Sequence, residues 1–185
     1  VPERRYEFDF ASDPLARGWK EMGARELFRW DEENESVEVT WDSSKTNSYF
    51  SFPLGMTLHR ADDFTVEFTF HLEDIAIGVD PEKPYTFQIA AGMIHLGSAT
   101  NPEMYRGAGI HPEHGPRNLV EWAYFPDSGF GATVAPIVAS RENQMLFSHN
   151  YPLELTAGRT YRVEMSFSSE TQRLETKMWE DGEPF

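Results

Sequence analysis

A strict alternation of apolar and polar residues constrains the fold of this chain more than any other feature. In the stretch FTVEFTFHL, residues 64–72, the even positions are apolar and the odd positions are polar. Successive side chains of a β-strand point to opposite faces, so this period of two predicts a strand with one buried face. The same period recurs at residues 6–10, 37–41, 50–54, 85–93 and 161–167.

Shorter stretches predict further strands, and turn-rich segments separate them. They lie at residues 27–30, 119–125, 133–140, 144–149 and 174–179. No segment carries a sustained apolar stripe of helical period. Many short strands joined by hairpin-length turns indicate an all-β protein, an antiparallel sandwich or barrel. A length of 185 residues predicts one domain spanning residues 1–185.

The charge balance limits the partners that the chain is expected to bind. The 31 acidic residues exceed the 16 basic ones, which gives a formal net charge of -15. Such a chain repels nucleic acid and anionic membrane surfaces, so neutral ligands, cations or basic partners fit better. No apolar run approaches the length of a membrane span, and we expect no membrane insertion. The chain has no Cys, which removes disulfides, thiolate nucleophiles and cysteine-ligated zinc.

The order of these features resembles the concanavalin A-like lectin/glucanase superfamily. The resemblance covers YEFDFASDPLARGW at the start, FTVEFTFHL, the central LVEWAYFPD and the closing hairpin GRTYRVEMSFSSETQRLETKMWEDGEP. It implies a jelly-roll β-sandwich from a secreted or cell-surface bacterial protein whose signal peptide has been removed. In that family the last strand pairs beside the first, so the resemblance leaves open that a final C-terminal strand is lacking here.

Glycosidases of this fold carry Glu-x-Asp-x-x-Glu on one strand, and the resemblance directs attention to Glu121. Alternate strand positions place the nucleophile and the acid on one face, about 5.5 Å apart. Here Glu121 is followed by Ala123 and Phe125, and the next carboxylate is Asp127, beyond Pro126. The pair is absent, and there is no Gly-x-Ser-x-Gly motif either. We therefore predict no catalytic residues.

Legume-type lectins of the superfamily hold manganese and calcium through a Glu and an Asp two residues later. Glu121 stands at the matching place, but Ala123 replaces the shared Asp. A hard cation needs several converging oxygen ligands, so the two-metal lectin site is not expected. Calcium held by Glu121 and Asp127 stays open as an alternative. Calcium held by three other acidic residues, Asp9, Asp13 and Asp181, also stays open. In both cases the competing interpretation is that the carboxylates are solvated.

The longest irregular segment, residues 95–118, is a candidate binding loop because ordered loops of this length are uncommon and often functional. It contains His95, His111 and His114. Their spacing is not that of a helical zinc motif, which favours solvent-exposed histidines over a zinc site.

Aromatic residues supply the candidate sugar site, because sugar rings pack their apolar faces on aromatic rings and hydroxyls bind polar side chains. Trp122 and Tyr124 share one face of a predicted strand. Burial in the core is the competing interpretation for each aromatic residue. The remaining predicted ligand-binding residues come from the surrounding loops: Tyr49, Asn101, Tyr105, Arg106, Glu113 and Asn118.

These patterns together predict a non-catalytic module that binds a polysaccharide or other glycan on the cell surface or in the medium. Two alternatives remain open. One is a structural or adhesive protein that self-associates without binding sugar, and the other is an atypical glycosidase or lyase. The sequence does not specify the glycan or the oligomeric state.

Overall fold

The computed structural model describes residues 3–42, 44–46, 48–76, 89–102, 118–127, 131–139, 145–148 and 151–185. The chain divides into two compact units, Val1–Gly55 and Met56–Phe185, and each is described by itself. The single domain predicted from the length stays a prediction. Among the described residues, no helix is long and apolar enough to span a bilayer.

Unit 1, Val1–Gly55, contains two small antiparallel sheets. Strand β1 pairs with β4, and β2 pairs with β3. Two short 3-10 turns accompany these strands, at Leu15–Arg17 and Arg25–Leu27. The strand bounds are Lys20–Met22 for β1, Phe28–Asp31 for β2, Ser36–Val39 for β3 and Tyr49–Ser51 for β4.

Ring contacts hold unit 1 together. Trp19 stacks on Phe50 at 4.8 Å between ring centroids, and Phe8 meets the Trp19 ring edge-on at 5.0 Å. The strand predicted at residues 6–10 is not formed. Phe10 has a φ of 56°, outside the extended region, and its carbonyl accepts a hydrogen bond from the Trp30 indole N–H. The alternating aromatic residues therefore mark packing rather than pairing.

Unit 2, Met56–Phe185, contains a five-stranded and a four-stranded sheet. The five-stranded sheet comprises β6 (Ile89–Ile94), β7 (Leu119–Phe125), β8 (Thr133–Ala139), β9 (Met145–Ser148) and β10 (Tyr151–Pro152). The four-stranded sheet comprises β5 (Phe64–Leu72), β11 (Arg159–Ser168), β12 (Arg173–Glu180) and β13 (Glu183–Pro184). A helix of four residues, α1 (Leu96–Ala99), follows β6.

Neighbouring strands in both sheets of unit 2 run antiparallel. The five-stranded sheet has the order β10-β8-β7-β6, with β9 also paired to β8, and the other has the order β13-β12-β11-β5. With almost no helix among the described residues, this confirms the all-β prediction.

Packing between the two sheets forms the main core. Trp122 of β7 contacts Phe68 and Phe70 of β5, with ring centroids 5.7 Å and 5.4 Å apart. Phe70 also stacks on Tyr161 of β11. Burying each large side chain contributes about 1.5–3 kcal/mol, so this contact between sheets stabilises the sandwich-like arrangement. The buried members of the cluster are Leu72, Ile89, Trp122, Tyr124, Val134, Leu155, Tyr161, Val163 and Met165.

The buried hydroxyl of Tyr161 provides a test of this core. It accepts a hydrogen bond from the Thr156 N–H at 2.8 Å and donates one to Glu180 Oε2 at 2.7 Å. We expect Tyr161→Phe to lower the free energy of unfolding by about 1–3 kcal/mol, because two part-buried hydrogen bonds of a fully buried ring are lost. Urea denaturation measures this. Tyr6→Phe removes a hydroxyl whose hydrogen bond to the Leu54 carbonyl is exposed to solvent, at a ring that is 41% exposed, and should cost less than about 1 kcal/mol. Equal effects of the two variants would contradict the role assigned to Tyr161.

The hairpin turn at Asp181 provides a pH test. The Thr160 N–H and the Arg159 guanidinium bind the carboxylate at 3.0 Å and 2.6 Å, and they hold the pKa of Asp181 below its ordinary value of 3.8. A carboxyl with a lowered folded pKa stabilises the fold fully above its unfolded pKa, and this is lost as the pH falls through the folded pKa. Asp181→Asn should therefore lose stability less steeply than the parent below about pH 4. Asn is a suitable replacement because it tolerates the φ of 48° at this position. Urea midpoints of the parent and the variant, measured between pH 7 and pH 3, would contradict the lowered pKa of Asp181 if both fell equally steeply with pH.

Candidate functional site

The structure places the two aromatic residues predicted to stack on a sugar inside the sandwich. Trp122 and Tyr124 are each 1% exposed and lie on the β7 face that packs against the four-stranded sheet. They differ in this from the predicted open aromatic face, because alternate positions of β7 point into the core between the sheets. Only the Tyr124 side chain also lines a cleft, described below.

Three of the other six predicted ligand-binding residues belong to the described part of the chain: Tyr49, Asn101 and Asn118. Tyr49 belongs to β4 in unit 1. Asn118 accepts a hydrogen bond from the His95 N–H at its carbonyl, and Asn101 donates its N–H to the Ser98 carbonyl. These bonds involve only main-chain atoms, so ligand binding by the two side chains stays a prediction. Five residues lie outside the described residues: Tyr105, Arg106, His111, Glu113 and His114.

Glu121 lies on the opposite face of β7 from Trp122 and is 7% exposed. Its cross-strand neighbours are Gly92 on β6 and Ile137 on β8. The apolar residues of this face form a second buried cluster: Leu119, Ala123, Ala135, Ile137 and Ala139. Glu121 is therefore a buried carboxylate on a face of small and aliphatic side chains, not the solvated residue of the alternative interpretation.

Within the described ranges, no group of three or more His, Asp or Glu side chains is arranged to hold a metal ion. Three of the acidic residues considered for calcium accept hydrogen bonds from nearby backbone N–H groups, and calcium at these residues stays a prediction. Asp9 and Asp13 accept hydrogen bonds from the N–H groups of Ala11 and Leu15, and Asp181 binds the β11 end as described above. Calcium held by Glu121 and Asp127 stays a prediction.

A cleft of about 330 Å³ lies beside β7 in unit 2. This volume is at the low end of the range typical of small-molecule sites. Three parts of the chain form it: the residues after β5, the end of β7, and the segment between β10 and β11. Its lining consists of Ile75, Tyr124, Pro126, Glu154, Leu155, Thr156 and Ala157.

One wall of the cleft is a bridging segment, residues 153–158, that is hydrogen-bonded to both sheets. The Leu153 N–H donates to the Ala132 carbonyl beside β8, and the Gly158 N–H donates to the Leu72 carbonyl of β5. Between these ends, Leu155 is 4% exposed and packs in the core, whereas Glu154 and Thr156 are exposed. This alternation turns the carboxylate and the hydroxyl away from the core.

Two tyrosine hydroxyls from different sheets hold successive amides of the bridging segment. The Leu155 N–H donates to the Tyr124 hydroxyl at 3.1 Å, and the Thr156 N–H donates to the Tyr161 hydroxyl at 2.8 Å. The Tyr161 hydroxyl also donates, to Glu180. The Tyr124 hydroxyl has no acceptor for its own proton among the described residues. Within the described part of the chain, the cleft therefore has a buried O–H donor without an acceptor.

The electrostatics of the cleft keep this donor protonated. Burial raises the pKa of the Tyr124 hydroxyl above its ordinary value of 10.0, and the carboxylate of Glu154 raises it further. The hydrogen bond from the Leu155 N–H opposes these two effects but does not reverse them. At neutral pH the cleft therefore presents a phenol O–H donor, a carboxylate acceptor and the hydroxyl of Thr156 over an aliphatic lining.

The cleft residues other than Tyr124 were not singled out from the sequence. Residues 153–157 carry neither a motif nor a period long enough to mark a strand, and Ile75 and Pro126 are distant from them in the chain. A weak signal was present, since buried Leu155 stands between the polar residues Glu154 and Thr156. An alternation of three residues is too short to predict a structure by itself, and it can be interpreted only once the positions of the sheets are known.

A scan against models of protein families finds no match, and neither does a search of curated proteins.

Gly92 provides a test of the β6–β7 contact that positions Glu121. A Cβ at Gly92 would collide with the carbonyl oxygen of Val120 and lie 2.6 Å from the Cα of Glu121. Backbone atoms cannot move aside cheaply, so Gly92→Ala should cost about 3 kcal/mol or more. Gly97→Ala is the matched control, because its nearest neighbour is the side chain of His95 at 3.2 Å, and it should change stability by less than about 1 kcal/mol. Thermal and urea unfolding of both variants would contradict this close contact if Gly92→Ala were tolerated equally well.

Proposed function

We propose that the chain binds a saccharide without cleaving it, and that the cleft between β7 and the bridging segment is the binding site. The observation that supports this most is the buried Tyr124 hydroxyl, whose proton has no acceptor among the described residues. A sugar hydroxyl accepts and donates hydrogen bonds, so it can satisfy this donor and Glu154 together. The aliphatic lining suits the C–H faces of a sugar ring.

The composition of the lining favours binding over hydrolysis. Glycosidases of the usual type need two carboxyl groups facing one bond. The cleft residues include one carboxylate, that of Glu154. The volume of about 330 Å³ favours a short saccharide or a chain end, and Tyr124, the aromatic residue in the lining, is too deeply buried to offer its ring face as a platform.

The proposal also includes the type of sandwich and the location of the protein. Two antiparallel sheets packed face to face are compatible with a jelly roll of the concanavalin A-like kind, and the resemblance of strand order supports that choice. On this assignment the protein acts outside the cell or at its surface. The net charge of -15 supports neutral or cationic partners there.

Binding to a glycan array, followed by titration of the best ligand, tests the proposal. Tyr124→Phe should weaken binding about tenfold, since a buried hydrogen bond to the ligand contributes about 1.4 kcal/mol. Tyr161→Phe is the matched control, because it also releases an amide of the bridging segment, yet its hydroxyl has both hydrogen-bonding roles filled by protein.

Two results would contradict the proposal. One is a folded parent chain that binds no saccharide on the array. The other is a folded Tyr124→Phe variant that binds as tightly as the parent. If Tyr161→Phe weakened binding as much as Tyr124→Phe, the effect would come from the position of the bridging segment instead of from the free donor.

A further inference from the structure

The charge of the cleft lining bears on which class of saccharide would bind there. Among the seven residues that line it, Glu154 is the only charged one. No ion pair joins Glu154 to another described residue. The other lining groups are aliphatic side chains and hydroxyls. A ligand in the cleft therefore meets one negative charge that the described lining does not neutralise.

The basic residue nearest to Glu154 along the chain already forms an ion pair with another residue. Arg159, the first residue of β11, binds Asp181 with 2.6 Å between Nη1 and Oδ2. Burial is the main cause of the raised pKa of the Tyr124 hydroxyl, and the carboxylate of Glu154 adds a smaller effect in the same direction, so the two groups that line the cleft interact. The negative charge of Glu154 and the O–H donor of Tyr124 thus belong to the same cleft.

We infer that the cleft prefers a saccharide that carries an amino group over its neutral counterpart, and disfavours one that carries a carboxylate. This inference rests on the proposed function, because it names the class of saccharide for the same site. The ammonium donates to Glu154, and a ring hydroxyl accepts from Tyr124. A charge-assisted hydrogen bond of this kind is stronger than a neutral one. A uronic acid would bring its carboxylate against that of Glu154.

Three monosaccharides of one ring type test the inference: glucosamine, glucose and glucuronate, titrated by ligand-observed NMR at low ionic strength. We expect glucosamine to bind about three- to tenfold more tightly than glucose, and glucuronate to bind more weakly than either. Glu154→Gln should bring the ratio of glucosamine to glucose close to one. Added salt should reduce the ratio in the parent, since Glu154 is exposed.

Glu170→Gln is the matched control. It removes one negative charge at an exposed turn between β11 and β12, so it separates the effect of net charge from that of the cleft. It should keep the preference of the parent. If Glu154→Gln also keeps it, or if glucosamine binds no more tightly than glucose, the inference is overturned while saccharide binding stands. If none of the three sugars binds and the glycan array is also empty, the proposed function itself fails.

Discussion

The packing of Trp122 and Tyr124 against the four-stranded sheet is the interaction on which the rest of unit 2 depends. It brings β7 and β5 together through aromatic contacts of 5.4 Å and 5.7 Å between ring centroids. Because β7 lies between β6 and β8 in its sheet, fixing its core face also fixes where the other face points. Glu121 is buried on that other face as a consequence. The end of β7 is likewise placed where the bridging segment can close the cleft.

The two buried tyrosines show how similar residues acquire different roles from their surroundings. Both accept a backbone N–H from the bridging segment. The Tyr161 hydroxyl donates a hydrogen bond to Glu180, which completes its hydrogen bonding and makes it a structural residue. The Tyr124 hydroxyl donates to no described residue, and burial, with a smaller effect from the carboxylate of Glu154, raises its pKa. A difference of one hydrogen-bond acceptor thus separates a packing residue from a candidate binding residue.

Alternation alone was enough to predict the long strands of the sandwich. FTVEFTFHL forms β5 with its apolar residues toward the core, and LVEWAYF forms β7 at the predicted bounds. The two-residue strands β10 and β13 were missed, since so few residues carry no period. The prediction of a strand at residues 6–10 was wrong for a different reason. Its aromatic residues alternate, but Phe10 adopts a positive φ that no pattern of hydrophobicity reveals.

The candidate site was less predictable than the fold, because the sequence cannot tell which face of a strand meets another sheet. Trp122 and Tyr124 fit a sugar platform and a core equally well, and only the packing of β5 and β11 decides between the two. The cleft brings together residues 75, 124 and 154, whose proximity is a product of folding. For Tyr124 the prediction of ligand binding stays a prediction, now through its hydroxyl instead of its ring face.

The bridging segment is tied at one end beside the five-stranded sheet and at the other to the four-stranded sheet, and the two tyrosines that support it come one from each. A shift of one sheet against the other would therefore move the two anchors of this segment apart or together. The width of the cleft thus depends on how the two layers pack, and side chains deep in the core affect it from a distance.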